Sequence, residues 1–466
     1  MNAPLIWIGF PLILAIILWI PRRANITALL GGLSSLILAG VAWLLPIDTA
    51  IRLSSNLSIK ISSSIAILGR QITISPTDQP LISLLFGLAS LWFFGASAAG
   101  IARRLIPLGY GIIALLIASL SVEPFLYAAL LIQTAILIAI PLLSPPEQRP
   151  GRGIIRFLIY QTLAMPFILS AGWLMAGVES SPGDIELLTQ SATLLALGFA
   201  FLLAIFPLYS WIPLLMEEAS PYAMGFILWL LPSVTLLFAI SFLDRYTWLR
   251  EFDQLNNALR SAGLLMVTTG GIWAAFQHHL GRIMGYATIV NTGFSLLALS
   301  LFPDYKLSAF FLLMIPQALG LIVWSLALSV VKMRENSLIY KEMRGMLQRY
   351  PIIIIGLIIA HFSASGLPLM ANFPPILAIW EGVARQTLIA AFWLGLGLAG
   401  LFTGAIRSLA IMVRSPEDQL WELNGSLLQN ILIGIGIFFI LILGFFPQLI
   451  HPILTTLPAA FAHLSG

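Results

Sequence analysis

The sequence predicts an all-α polytopic membrane protein with about fourteen transmembrane helices. Of its 466 residues, 59% are hydrophobic and 9% are charged, and the mean hydropathy is +0.99. Soluble domains average roughly 45–50% apolar and about 25% charged residues. Apolar runs of about 20 residues, the length that a membrane helix needs, follow one another along the chain. These observations exclude a soluble globular protein.

The spans are obtained by cutting the sequence where charges or Pro and Gly clusters interrupt the apolar runs. The first apolar run lacks a basic start and a small-residue cleavage site, which favours a span over a cleaved signal peptide. The predicted spans are residues 3–20, 25–46, 79–99, 104–121, 125–143, 154–177, 188–210, 221–243, 258–277, 283–302, 307–330, 351–373, 387–413 and 427–446.

Residues 56–75 differ from the spans because Leu57–Ile61 and Gln71–Ile74 alternate apolar and polar residues around Gly69. This pattern predicts a short extramembrane hairpin. Fifteen Lys and Arg residues fall in one set of alternate loops and eight in the other. Basic loops remain cytoplasmic, so both termini are expected on the non-cytoplasmic side. All formal charges fall in loops or at span ends.

Composition and motifs also limit the chemistry. The absence of cysteine excludes disulfides and thiolate metal sites. The net charge of +4 is too small and scattered to indicate nucleic acid as a partner. No phosphate-binding loop, nucleophile elbow or ligand spacing is found. We therefore expect no catalytic residue, no metal site and no cofactor.

Two spans contain helix breaks. Pro207 interrupts the seventh span, while Gly366 and Pro368 interrupt the twelfth. Proline removes a hydrogen-bond donor, so the freed carbonyls need neighbours or water. Each break is either a kink packed against another helix or part of an inverted repeat, in which discontinuous helices flank a transport site.

Four segments resemble a known family. Residues 198–219, GFAFLLAIFPLYSWIPLLMEEA, resemble the signature "GFxFKxxxxPxHxWLPxAxxEA" of the antiporter-like subunits of respiratory complex I and of Mrp-type cation/proton antiporters. Residues 277–289 resemble the family's "QxDxKRxxAYSSI" loop. Residues 344–351 and 366–373 resemble "lrGlxxxxP" and "GlPPxxGFxxK".

The resemblance implies one antiporter-like transmembrane domain over residues 1–466. It would contain spans 1–3, two inverted five-helix repeats over about 104–243 and about 258–413, and a C-terminal span near 427–446. The family moves protons, or exchanges a cation for protons, along a row of buried Lys, Glu and His.

This sequence departs from the family at nearly every charged position of that row. The departures are Gln133 for the glutamate of span five, Leu202 for the lysine of span seven, Tyr209 for the histidine after the break, Gln317 and Leu321 for the "HxxxK" of span eleven, and Ile376 for the "GFxxK" lysine. A relay needs groups that titrate near working pH, which amides and leucine do not. We therefore predict a structural, non-enzymatic subunit whose own proton path is lost.

The candidate vestigial proton path is His361, Gln133, Tyr209, Gln317, Glu217 and Glu218. His361, inside span twelve, is either a proton station or a neutral ring bonded to a carbonyl that the break frees. Glu217 and Glu218 match the family's acidic pair, and mark either a former proton entrance or carboxylates at a helix end. The alternative function is a transporter that conducts protons or cations through polar residues, waters and His361. A lipid- or quinone-binding membrane protein is the third possible function, after the structural subunit and the transporter.

The expected partners are lipids and other membrane subunits of a complex I-like or Mrp-like assembly, with no nucleic acid. The expected location is multi-pass in a bacterial plasma membrane or a thylakoid. In the loop from Lys332 to Arg349, the spacing of Leu338, Tyr340 and Met343 predicts a short amphipathic helix on the membrane surface.

Overall fold

The computed structural model describes residues 2–21, 23–54, 57–67, 69–144, 151–180, 184–252, 254–301, 307–414, 424–461 and 463–464. These residues form a bundle of helices with two small sheets at one end. The helices are α1 (Leu5–Ile17), α2 (Ala24–Leu44), α3 (Gln79–Gly95), α4 (Ala102–Ser121), α5 (Ala128–Leu143), α6 (Arg152–Ser180), α7 (Ile185–Leu202), α8 (Trp211–Glu218), α9 (Pro221–Arg245), α10 (Thr247–Arg250), α11 (Gln254–Phe276), α12 (Leu280–Ser300), α13 (Ser308–Glu335), α14 (Met346–Arg349), α15 (Pro351–Ala364), α16 (Phe373–Gln386), α17 (Leu388–Val413), α18 (Leu427–Phe445) and α19 (His451–Leu454).

Eleven helices of the described residues are long and apolar enough to cross a membrane, so the chain is an integral, polytopic, all-α membrane protein. Three of the fourteen predicted spans fall on helices outside this set of eleven. The first falls on α1 and the twelfth on α15, both of which are shorter apolar helices. The ninth falls on α11, whose Asn, Gln and Thr residues make it more polar. A count of fourteen crossings stays a prediction.

Both predicted helix breaks are present. In the first, α7 ends at Leu202 and α8 begins at Trp211, with Pro207 between them. In the second, α15 ends at Ala364 and α16 begins at Phe373. Gly366 and Pro368 lie in this second break, and Gly366 has φ +72°, which glycine adopts without steric cost.

The strands form two short hairpins. β1 (Ala50–Ser54) pairs with β2 (Leu57–Lys60), and β3 (Ser64–Ile67) pairs with β4 (Arg70–Thr73), which also pairs with β5 (Val122–Glu123). β3 and β4 form a hairpin around Gly69, whereas the alternating stretch that includes β2 pairs with β1 instead. Asn56 and Leu68, within the predicted hairpin, lie outside the described residues.

The bundle has a basic end, defined by Arg103, Arg104, Arg282 and Lys332. At the opposite end, the Ala3 backbone N–H donates to the Ser62 carbonyl at 2.8 Å. There the His463 backbone N–H also donates to Asp244 Oδ1, at 2.8 Å. The first and last described segments thus lie at the same end, opposite the basic end, as the distribution of basic residues predicts.

The loop from Lys332 to Arg349 folds against the basic end. Leu338, Tyr340 and Met343 are 1%, 5% and 0% exposed. The Leu280 backbone N–H donates to the Leu338 carbonyl at 2.9 Å, and the Tyr340 hydroxyl is 2.9 Å from Ser408 Oγ. The predicted amphipathic surface helix is wrong, because the apolar side chains face protein rather than the membrane surface.

Helices α11 and α17 pack with their backbones in close contact. A Cβ atom on Gly271 would overlap the Gly397 carbonyl oxygen, and one on Gly397 would overlap the carbonyl of Val267. Small residues of this kind let membrane helices approach closely where no hydrophobic effect drives them together. This contact fixes α17 beside the second break.

Candidate functional site

A row of uncharged polar side chains crosses the interior of the bundle. It begins at the outer face of the bundle on α5, where Nε2 of the half-buried Gln133 donates to Oγ1 of the exposed Thr162 of α6 at 2.9 Å. The neighbouring Gln161 is 2% exposed, and its Nε2 donates to the Leu202 carbonyl at 3.2 Å. Leu202 is the last residue of α7, where the break leaves carbonyls without helical partners. Gln161 therefore satisfies a group that the break frees.

Two small cavities continue the row from the first break. A cavity of about 10 Å³ lies between Gln161, Thr288 and Thr292. A second, of about 20 Å³, also touches both threonines and reaches Asn291 and Gln317. A buried water needs about 10–15 Å³ and two to four polar partners. The second cavity meets both conditions.

The row then follows α13 to the second break. Gln317 Nε2 donates to the Asn291 carbonyl at 3.3 Å. One turn along α13, Gly320 leaves room for Asn372, whose Nδ2 lies 3.7 Å from the position of a Gly320 Cβ. Asn372 also donates to Ser363 Oγ at 3.4 Å, while its own Oδ1 has no partner. The row thus connects the two helix breaks.

His361 lies beside the second break and is fully buried. Its ring stacks on Trp324 of α13, with a centroid distance of 4.4 Å and an interplanar angle of 29°. The ring is directed at the Leu401 backbone on α17, but neither ring nitrogen makes a hydrogen bond of normal geometry. Leu401 lies within α17, so the expected bond to a carbonyl freed by the break is not formed. The imidazole packs as an aromatic ring.

No Lys, Arg, Asp or Glu among the described residues is fully buried. The positions at which the resemblance implies lysines are Leu202, Leu321 and Ile376, and these are 5%, 4% and 3% exposed. A lysine at any of them would have to carry its charge into the interior, which is costly in a membrane protein. The apolar residues there fill the space beside the row.

Tyr209 lies in the first break and lines neither small cavity. It is 7% exposed, and its ring centroid is 6.4 Å from that of Tyr286. Of the six predicted path residues, Gln133 and Gln317 lie in the row, and His361 lies at its end. Sequence reasoning missed Gln161. The only signal that could have identified it is that it is a lone amide in the apolar run of α6.

Glu217 and Glu218 lie at the basic end, away from the row. Glu217 Oε2 accepts a hydrogen bond from Arg282 Nη2 at 2.9 Å. Glu218 Oε1 accepts from the Gly153 backbone N–H at 2.9 Å, in the first turn of α6. A carboxylate at a helix N-terminus satisfies unpaired amides and complements the helix dipole. The two acids therefore join helices.

Two basic groups complete this cluster. Lys332 Nζ donates to the Ala219 carbonyl at 2.9 Å, just after the C-terminus of α8. His279 Nδ1 accepts from the Arg282 backbone N–H at 3.3 Å and so caps α12. Burial lowers the pKa of His279, and the charge of Glu217 opposes this effect. The residues that the structure describes contain no group of three His, Asp or Glu side chains that could hold a metal ion.

Comparisons with known proteins agree with this architecture. Residues 172–403 match the transmembrane family described as NADH:quinone oxidoreductase/Mrp antiporter. The NAD(P)H-quinone oxidoreductase chain 4-3 of a Nostoc species is 28% identical over 255 residues, which cover 50% of this chain and 43% of that protein. The chain therefore matches less than half the length of this relative.

Solved structures show the same fold. A chain of respiratory complex I from Thermus thermophilus with bound NADH gives a TM-score of 0.79 at 17% identity, covering 99% of this chain and 100% of that chain. A chain of the Mrp complex from a Dietzia species gives 0.77 at 14% identity, covering 99% and 97%. At these identities the likeness concerns the fold alone.

Proposed function

Since residues 172–403 place the chain in the NADH:quinone oxidoreductase/Mrp antiporter family, we propose that it is a structural antiporter-like subunit of a complex I-like or Mrp-like membrane assembly. We further propose that its own proton path is lost and that it catalyses no reaction itself. The homologue from a Nostoc species supports a thylakoid or bacterial plasma membrane as its location.

The observation that carries the proposal is the uncharged row between the two breaks. Gln133, Gln161, Gln317 and Asn372 are all amides, and an amide does not ionise near working pH. Such a row can hydrogen-bond to water, but it contains no charge whose movement could be coupled to an energy source. The backbone breaks are kept, while no described Lys, Arg, Asp or Glu is buried beside them, and the one described histidine that is fully buried is His361.

A structural role is supported by what the chain retains. The fold agrees with chains of respiratory complex I and of the Mrp complex over 99% of its length. At the basic end, Glu217, Arg282 and Lys332 are engaged in contacts between helices. A subunit that transmits shape and contacts to its neighbours needs these features and does not need a relay.

A second candidate is a conductor of protons through water and His361. It is favoured by the 20 Å³ cavity and by the unpartnered Oδ1 of Asn372, which together could order water near the second break. Asn372 and His361 are joined only through Ser363 and the backbone of α15. A conducting function therefore requires water in the 20 Å³ cavity and at Asn372, with no charged group between them.

Affinity purification from native membranes tests the proposal. A tagged copy of the full chain, extracted in mild detergent, should co-purify in fixed ratio with antiporter-like subunits that carry Lys and Glu in their relays. The control is the same tag on an unrelated polytopic protein of the same membrane. Recovery of this chain alone, with proton flux of its own after reconstitution, would contradict it.

A further inference from the structure

A crevice of about 990 Å³ opens at the basic end, in the size range of sites for large ligands. It lies among α1, α4, α5, α8 and the last turn of α13. Its charged lining residues are Arg103, Arg104, Glu217, Glu218 and Lys332, and its apolar ones include Leu18, Trp19, Leu142, Leu143 and Met333. The row of amides does not reach it.

Arg103 and Arg104 stand in the first turn of α4. Cations are unfavourable at a helix N-terminus, because the unpaired amides there carry partial positive charge. This turn contains no acidic residue, and its N-cap, Ile101, provides no side-chain hydrogen bond. Both arginines are exposed, and no described residue forms an ion pair with either. An anion placed here would complement both side chains and the helix end.

The two carboxylates in the crevice do not supply that anion. Glu217 is paired with Arg282, and Glu218 accepts hydrogen bonds from the first amides of α6. Lys332 adds a further positive charge and is bonded only to carbonyls. The field that the described side chains create in the crevice is therefore positive.

The remaining wall is apolar and lies at the ends of helices. Trp19, after α1, is 55% exposed and Met333 of α13 is 45% exposed, whereas Leu18, Leu142 and Leu143 are at most 5% exposed. Tryptophan is typical of the interface between lipid and water. A ligand that fills this crevice needs an anionic group for the arginines and hydrocarbon for this wall.

We infer that the crevice binds one anionic phospholipid, with its phosphate at Arg103 and Arg104 and its acyl chains against Trp19 and Met333. Basic pockets between membrane helices are known to bind such headgroups. The inference does not depend on the proposed function, because it concerns only the basic end.

Native mass spectrometry of the purified full chain tests this inference, with phosphatidylglycerol, phosphatidylcholine and water-soluble glycerol phosphate as separate probes. Phosphatidylglycerol should bind about tenfold more tightly than phosphatidylcholine, since basic residues near a membrane surface each favour anionic lipid. The preference should fall as salt rises, because exposed charges are screened. Equal binding of the two lipids would overturn the inference.

Matched variants locate the site. The double variant Arg103→Gln/Arg104→Gln should lose the preference, whereas Arg103→Lys/Arg104→Lys should keep it. The control Lys341→Gln/Arg344→Gln removes the same charge from exposed residues that do not line the crevice, and should keep it too. A preference that survives in the Gln variant would overturn the inference. Tight binding of glycerol phosphate that phosphatidylglycerol does not displace would also overturn it, in favour of a soluble phosphate.

Discussion

The polar side chains of the basic end and of the interior row differ in charge and in contacts. At the basic end, Glu217, Glu218 and Lys332 are charged and each contacts a neighbouring helix. In the row, the polar groups are amides and hydroxyls, and Gln133 and Asn372 each keep an unpartnered buried oxygen. These three charges join helices, whereas no described Lys, Arg, Asp or Glu is buried where a relay would use it.

The difference has a physical reason. A charge at the membrane surface is solvated and adds to a helix contact, whereas a charge in the interior is expensive unless it is paired. Under the proposed structural role, neutral side chains in the interior stabilise the same fold. The broken helices persist, because Gln161 and the backbone itself satisfy the freed groups.

The largest effect should come from a charge placed in the row. Gln133 and Leu202 line the same narrow space, at the positions where the resemblance implies a Glu and Lys pair. Leu202→Lys should lower the free energy of unfolding by about 3 kcal/mol, the cost of a lysine at mid-membrane. Gln133→Glu in the same chain should restore much of this loss. The yield of folded protein in detergent and thermal unfolding measure the loss and its recovery. Leu202→Met is the control.

A lysine variant as stable as the parent chain would show that water already reaches Leu202. The interior row and the basic end would then not differ as described.

The next effect concerns the stack of His361 on Trp324. His361→Phe keeps a ring against the indole, removes titration, and should preserve assembly and any activity of the complex. His361→Ala should lose about 3 kcal/mol of stability, because it leaves a cavity in a fully buried position. Complex yield and proton pumping are measured for both variants. Loss of pumping in a fully assembled Phe variant would make His361 a proton station.

At the basic end, Glu218→Ala should cost about 1–2 kcal/mol, because it leaves amides in the first turn of α6 without a partner. Thermal unfolding in detergent measures the loss. Glu381→Ala, at an exposed residue of α16, is the control and should have little effect. An equal loss in the two variants would mean that Glu218 does not cap α6.

The smallest effect is the pH dependence due to His279. Its folded-state pKa is lowered by burial, so below its ordinary value, about 6.5, the unfolded chain binds more protons. The stabilisation by the neutral cap is therefore present above about pH 6.5 and is lost as pH falls towards the folded-state pKa. His279→Asn keeps a capping side chain and should remove this component, at under about 1 kcal/mol. Unfolding at pH 5 and pH 8 compares the two chains, and an unchanged pH dependence would contradict the assignment.

The sequence predicts the helices and both breaks, because apolar length and proline act locally. Partners far apart in sequence are not predictable in this way. Glu218 caps α6 through Gly153, 65 residues away, and nothing near Glu218 marks that contact. Alternation at 57–61 and 71–74 identifies strands, but it does not specify which strand each one pairs with. The spacing of Leu338, Tyr340 and Met343 shows an apolar face without showing whether lipid or protein covers it.

The most direct test of the central claim is proton flux through the chain alone. Purified full chain is reconstituted into liposomes with an imposed pH gradient, beside a homologue whose Lys and Glu relay is intact. The uncharged interior predicts dissipation no faster than in protein-free liposomes, together with rapid dissipation by the homologue. Flux comparable to that of the homologue would contradict the account, since it would require a conducting path without interior charge.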